Sequence, residues 1–353
     1  YTNVQLFNIP ESMNSSDPVP SKPAGSYRLL HTADWHLGKP LDQLSREEEH
    51  ARFLDWLLEA VKENEVDAIV LAGDVFDTAN PPQSALTRYY DFVHALNQQG
   101  GCTLAIIGGN HDSAAQLEAP KQVLHALRTH VAGGLADDPG DRILCLPDED
   151  NPAVALALVP FLRDRDLRVG RAGESNDEIR DNLAAGIHQC YEDTAAAAEG
   201  LDCPLIGTGH LTVTGASRSE SERDIHIGGL GAVSSDTFSS AYSYVALGHL
   251  HRPQATDTAG LVRYAGSPIA LSFSEVNDTK EVRILDVAGN ELSHYSLPVP
   301  VFRRLAQLRT KRASLEDDLA GFQPEDGELT TWVEVVVEDA SLETDINEQV
   351  REL

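Results

Sequence analysis

A chain of 353 residues can hold one large α/β domain and a smaller module, and its 41% hydrophobic and 24% charged residues are ordinary for a globular protein. Asp and Glu number 56 against 27 Lys and Arg, only six of them Lys, for a formal charge of −29. This balance argues against a protein that grips nucleic acid through a broad basic surface. It leaves room for an enzyme whose metals and a few Arg meet the phosphates, or whose partner brings the basic groove. No run approaches the ~18 apolar residues of a membrane span, and the first residues lack the pattern of a secretory signal. Cys102, Cys145, Cys190 and Cys203 are scattered, with no CxxC, so the expectation is buried thiols in a reducing, cytoplasmic setting.

Residues 1–26 are rich in Pro, Ser and Asn and are expected to be a loose leader or expression remnant. Strand and helix periods then alternate. Arg28–Thr32 is strand-like, and Glu47–Asn64 carries Phe53, Leu54, Leu57, Leu58 and Val61 on one helical stripe. The apolar run Ala68–Ala72 ends at Gly73-Asp74, with Asp77 three residues on. Leu86, Tyr89, Tyr90, Val93 and Leu96 mark a second helix, Thr103–Ile107 a strand, and a third helix begins near Ala114 with Val123, Leu124 and Leu127 on one face. Ala153–Val159 reads as a strand, Asn176–Ala198 as a helix and Leu205–Gly207 as a strand, followed by a Gly- and Ser-rich loop over 211–235. Tyr242–Leu247 is a strand, and Val262–Tyr264, Val282–Leu285 and Glu291–Tyr295 are short strands along one sheet edge. This alternation predicts a layered α/β domain over 27–297. Beyond Pro298–Pro300 the pattern changes: Phe302–Leu319 is charged and helical, Trp332–Val337 strand-like and Asp345–Leu353 helical. Residues 298–353 are expected to form part of a second, smaller α+β module, with the chain stopping inside a helix.

Five strand-like runs end in polar clusters flanked by Gly: Asp34-x-His36, Gly73-Asp74-x-x-Asp77, Gly109-Asn110-His111-Asp112, Gly209-His210 and Gly248-His249-x-His251. The carboxyl ends of buried parallel strands are where α/β sheets place their sites, and Gly lets the backbone turn sharply there. A lone His is more often a core or surface residue than a ligand, but five such clusters in order reverse those odds. Carboxylate and amide oxygens with imidazole nitrogens suit Mn, Fe or Zn and exclude a thiolate cluster. Asp74 has the position of a carboxylate shared by two ions, and His249 and His251, on an extended segment, can each face a different one.

The order D-x-H, GD, GNHD, GH, GHxH resembles that of the calcineurin-like metallophosphoesterases. Longer stretches, HTADWHLGKP, VDAIVLAGDVFDTANPP, GGNHDS, GHLTVTGAS, RDIHIG, YVALGHLHRPQ and YAGSPIALSFSE, are similar to those of the SbcD nucleases. The resemblance spans 31–275 and implies an αββα-type layered nuclease domain followed by a partial, truncated capping domain. It implies that Asp34, His36, Asp74 and His251 hold one divalent ion, most simply Mn²⁺ with Mg²⁺ as alternative. Asp74 would bridge to a second ion held by Asn110, His210 and His249. His111 would stabilise the transition state or protonate the leaving oxygen. Archaeal and eukaryotic members carry a His where this chain has Asp77, so the part of Asp77 stays open between orienting a ligand and touching the attacking water. Two ions sharing a carboxylate make water acidic enough to attack phosphorus near neutral pH.

The implied activity is metal-dependent DNA cleavage, double-strand exonucleolytic and single-strand or hairpin endonucleolytic, in repair and recombination near the nucleoid. The implied partners are DNA, a coiled-coil ATPase of the SbcC type and a second copy of the chain, paired through helices near Gln83–Gln98 and Gln116–His130. Arg163, Arg165, Arg218 and Arg223 are candidates for phosphate contacts. A small-molecule or nucleotide phosphoesterase with the same metals is the alternative, disfavoured by the longer stretches; a non-enzymatic scaffold would be expected to have eroded ligands.

Overall fold

The alternating periods resolve into two mixed sheets packed face to face, with helices on both outer surfaces. The computed structural model describes residues 19–167, 174–222, 230–323 and 328–338. In chain order the first half runs β1 (Tyr27–Thr32), α1 (Glu47–Glu63), β2 (Ala68–Ala72), α2 (Gln83–Gln99), β3 (Thr103–Ile107), α3 (Ala114–Glu118), α4 (Lys121–Ala126) and β4 (Thr129–Ala132). There follow β5 (Ile143–Leu146), β6 (Val154–Ala157), α5 (Asp164–Leu167), α6 (Asn176–Ala197), β7 (Leu205–His210), β8 (Tyr242–Gly248), β9 (Gln254–Ala255) and β10 (Val262–Tyr264). The chain returns to the first sheet with β11 (Glu281–Ala288) and β12 (Glu291–Pro298). It continues through β13 (Arg303–Thr310), α7 (Leu315–Gly321) and β14 (Leu329–Val337).

The first sheet has the order β12-β11-β1-β2-β3-β4 and the second β5-β6-β7-β8-β10-β9. Strands β1 to β4 are mutually parallel, as are β6, β7, β8 and β10, so their carboxyl ends share one edge of each sheet. On β2, alternate residues serve two layers. Ile69 and Leu71 pack under α1 and α2 with Phe53, Leu57, Phe92 and Val93. Val70 and Ala72 face the other sheet and meet Leu156, Ile206, Tyr244 and Ala246. The outer face of the second sheet is covered by α6 through Leu183, Ile187 and Tyr191. The result is the αββα arrangement.

Several sequence expectations need correction. Pro120 divides the third helix into α3 and α4, and Leu124 is buried while Val123 is 67% exposed, so the two do not share a face. The chain past Ala126 turns into the edge strand β4 instead of continuing helical to His130. Residues 303–310 are strand β13, not helix, because they pair in parallel with β14 and Leu305 enters a small cluster with Leu41 and Phe273. The spacing of Phe302, Leu305 and Leu308 imitates a helical stripe, and pairing with a distant strand overrides it. The helix expected at Asp345–Leu353 lies outside the described residues. Of the four Cys, all free, Cys102 and Cys190 are buried but Cys145 and Cys203 are partly exposed. Residues 19–26 follow the body of the fold, where Lys22 Nζ pairs with Asp67 at 2.5 Å.

The seam between the sheets also holds a buried His. On β1, His31 Nε2 donates to the Leu247 carbonyl at 3.2 Å and Nδ1 accepts from the Tyr244 hydroxyl at 3.1 Å, which satisfies the neutral ring. Burial lowers its pKa to about 3. The unfolded chain therefore takes up this proton first, and the contribution, complete above about pH 6.5, is lost as the pH falls. About 2 kcal/mol should disappear between pH 6.5 and 5. Urea unfolding at the two pH values should show this loss in the wild type and a smaller one in His31→Gln; equal losses would remove His31 as its source.

Candidate metal centre

The parallel strands β1, β2, β3, β7 and β8 deliver the five polar clusters to one place. Asp34 and His36 follow β1, Asp74 follows β2, Asn110 and His111 follow β3, His210 ends β7, and His249 and His251 follow β8. Asp34, His36, Asp74, His210, His249 and His251 are all buried. Four of these residues hold positive φ without being Gly: Asp34 (54°), His36 (45°), Asp74 (51°) and His249 (99°). Such backbone costs of order 1–3 kcal/mol per residue and persists only where its surroundings enforce it.

Asp74 lies at the centre. Its Oδ2 is 3.5 Å from His36 Nε2 and 3.3 Å from His210 Nε2, and Oδ1 accepts from the His111 backbone N–H at 2.9 Å. On one side, ligand atoms of Asp34, His36 and His251 lie within 4.8 Å of one another. On the other, those of Asp34, Asp74 and His210 do so, and Asn110 Oδ1 is 2.9 Å from His210 Nε2. The His249 ring stands 5.5 Å from that of His210, and the His251 ring 5.0 Å from that of His36. All seven expected ligands are brought together.

Electrostatics and hydrogen bonding agree with a cation-binding role. Burial pushes Asp34 well above the usual carboxylate range, and the neighbouring Asp74 charge adds to it. Burial would also raise Asp74, but the charge and hydrogen bond of His210, with His36 and His111, hold it well below. The same partnership raises His210 to about 9 against its burial. Both faces of that ring meet acceptors, Ala72 O at Nδ1 (2.9 Å) and Asn110 Oδ1 at Nε2, so a proton on Nε2 stands where positive charge is called for. Among the described residues, Asp34 Oδ2 and His249 Nε2 are buried without a hydrogen-bond partner. Such orphaned atoms cost about 1–3 kcal/mol each unless a ligand claims them. Oxygen and imidazole donors around one shared carboxylate oxygen fit two divalent cations.

Asp77 forms a third group with His36 and His111, whose ligand atoms also lie within 4.8 Å of one another. Its Oδ1 is 3.3 Å from His36 Nδ1 and 3.1 Å from Lys39 Nζ, and its backbone carbonyl accepts from His111 Nδ1 at 2.6 Å. Asp77 thus touches two rings of the site. Asp112 has a role that sequence reading missed. Its carboxylate accepts from the backbone N–H groups of Val75, Phe76 and Gly109, clamping the turn after β2 to the turn after β3. Burial and the Asp74 charge raise its pKa to about 6. The available signal was its place as the fourth residue of GNHD. Of the candidate phosphate contacts, Arg163 is half-buried and Arg165 is exposed and pairs with Asp166 at 3.6 Å. Arg218 donates to Thr212 Oγ1 and the Gly231 carbonyl, both at 3.3 Å, and Arg223 lies outside the described residues.

Gly248 lets the sheets approach at the site: a Cβ there would fall 1.9 Å from the Ala72 carbonyl oxygen and 3.0 Å from His210 Nδ1. Gly248→Ala must push β8 away from β2, so a cost of about 1–3 kcal/mol or more is expected. Misplacing His249 by the same shift should lower activity roughly 100-fold. Thermal unfolding and rate measurements on purified Gly248→Ala would check both.

Residues 27–253 match the family model of the calcineurin-like phosphoesterases. The chain is 40% identical over 332 residues to the SbcD component of nuclease SbcCD from Escherichia coli (strain K12), covering 92% of this chain and 82% of that one. It is 42% identical over 287 residues to the same component from Rhodobacter capsulatus, covering 78% and 70%, and 38% identical over 267 residues to that from Bacillus subtilis, covering 75% and 67%. With the geometry of the centre, these likenesses make the chain a member of the calcineurin-like phosphoesterase family, on the branch of the SbcD nucleases.

Proposed function

We propose that the chain is a metal-dependent nuclease that hydrolyses phosphodiester bonds at DNA ends and hairpins, as the SbcD component of an SbcCD-type complex. The observation that carries this reading is the single Asp74 oxygen lying between His36 and His210. Asp34, His36, Asp74 and His251 would hold one cation, and Asp74, Asn110, His210 and His249 the other. When bound, the two cations make water nucleophilic near neutral pH and neutralise charge on the phosphate oxygens. Mn²⁺ is the proposed metal, with Mg²⁺ as a weaker substitute.

The protein's own groups do the remaining work. Asp74, besides the ligand it would provide, holds the His111 backbone through Oδ1. The Asp77 carbonyl takes the His111 Nδ1 proton, which fixes the tautomer and aims the ring. His111 then stabilises charge on the phosphoryl group or protonates the leaving oxygen. Asp77, itself paired with Lys39, meets His36 Nδ1, which favours an orienting part for Asp77 over direct contact with water. Arg163, Arg165, Arg218 and Arg223 remain proposed phosphate contacts.

Outside the site, we assign residues 27–297 to the nuclease domain, against which Lys22 of the preceding segment pairs with Asp67, and the residues from 298 on to a capping domain. A coiled-coil ATPase of the SbcC type is the proposed partner, in the cytoplasm at the nucleoid. A second copy docks through α2 and the α3–α4 pair. Two apolar side chains there support this: Tyr90, 41% exposed, and Val123.

Cleavage of end-labelled duplex and hairpin DNA should appear with Mn²⁺, weaken with Mg²⁺ and vanish with chelator. A generic phosphodiester should be a far poorer substrate. Equal or better cleavage of the small ester would favour the small-molecule phosphoesterase instead.

A further inference from the structure

Beside His251 Nδ1 lies a buried ion pair that the proposed mechanism does not use. Glu275, in the turn after β10, is 1% exposed, and its Oε2 is 2.5 Å from Lys280 Nζ. Lys280 also donates to the His251 carbonyl at 2.9 Å and to Ser267 Oγ at 3.0 Å. Glu275 Oε2 further accepts from the Leu271 backbone N–H at 3.1 Å, and Oε1 accepts from Ser219 Oγ at 3.1 Å and from Ser221 Oγ. Engaged on both oxygens, this carboxylate is not itself a ligand.

The proton count along this chain of groups is set at the carboxylate, an acceptor to which both Ser219 and Ser221, 2.7 Å apart, turn their hydroxyls. Ser221 has a single hydroxyl proton and gives it to the Glu275 carboxylate. The Ser221 oxygen, 2.5 Å from His251 Nδ1, must then accept a proton that the imidazole supplies. His251 is thereby held as the Nδ1–H tautomer, which Glu275 Oε1, 3.5 Å from the same nitrogen, also favours, and the Nε2 lone pair is left free for a cation. The backbone of His251 is held as well: its N–H donates to Glu222 Oε1 at 2.8 Å. Segment 219–222 and the turn 271–280 thus meet on one ring of the metal centre.

We propose that Glu275, acting through Ser221, is a positioning residue that sets the tautomer of His251 and hence the affinity of the cation site formed by Asp34, His36 and His251. The proposal rests on the metal-centre reading above. A carboxylate behind a ligating His raises the basicity of its free nitrogen and fixes the ring, and removing such a partner typically weakens metal affinity 10–100-fold. Lys280 compensates the buried charge, so Glu275 stays ionised without competing for the cation.

The test is calorimetric titration of Mn²⁺ into the metal-free full chain, well below its unfolding temperature, with thermal unfolding of each metal-free variant in parallel. Glu275→Gln should weaken one of the two cation sites by roughly 10–100-fold. Ser221→Ala leaves the Glu275–Lys280 pair intact, and should weaken the same site by a smaller factor without moving the metal-free unfolding midpoint. Ser221→Thr, which keeps the hydroxyl, should bind like the wild type. Wild-type affinity in both Glu275→Gln and Ser221→Ala would overturn the proposal, as would a loss in Ser221→Ala that only follows its unfolding. If the wild type itself took up no pair of cations, the metal-centre reading would fall, and the proposal with it.

Discussion

Asp74→Asn is expected to abolish cation binding and DNA cleavage together. The amide keeps the shape of the side chain and can still meet the His111 backbone N–H through one atom. It removes the negative charge from the one oxygen placed between His36 and His210. His210 loses the partner that raises its pKa, so the substitution need not leave an uncompensated buried charge, and the fold should survive. Losing the shared ligand forfeits several kcal/mol of transition-state stabilisation, a fall in rate of about 10³-fold or more. Calorimetry with Mn²⁺ and cleavage of end-labelled duplex would measure the two losses side by side. Full cation uptake by the D74N chain would mean that the bridging assignment is wrong.

His111→Ala should separate what Asp74→Asn removes at once. His111 is attached to the site by its backbone N–H to Asp74 Oδ1 and by Nδ1 to the Asp77 carbonyl. The first bond survives truncation to Ala, and the neighbouring Asn110 keeps its oxygen beside His210. Cation affinity should therefore change little while cleavage falls about 10²–10⁴-fold, the usual worth of a positioned acid or base. A parallel loss of metal and activity would show His111 to be structural.

The fold and the centre were legible in the sequence to different depths. The strand ends could be read because each carries a local mark, an apolar run broken by Gly and followed at once by Asp, Asn or His. The ranges for β3 and β10 need no adjustment, and the seven expected ligands converge. What could not be read depends on distance in space. No local pattern says that Ala72 O will meet His210 Nδ1 from another sheet, or that Asp112 will spend its oxygens on three backbone N–H groups. Glu275 lay inside a quoted stretch, yet its relation to His251 appears only once two turns are folded against each other. Errors of element type have the same origin. Residues 303–310 carry a three-residue apolar spacing, but a partner strand decides their state. At Pro120 the missing N–H is a local break that the apolar positions around it disguised.

One consequence follows from how the centre is divided between the sheets. Asp34, His36, Asp74 and Asn110 come from strands of the first, and His210, His249 and His251 from strands of the second. In chain order the first-sheet group is complete at Asn110, and His210, His249 and His251 are added one after another from the second sheet. A chain that has not yet extended past His251 therefore lacks part of the centre, which is complete only when both sheets are present.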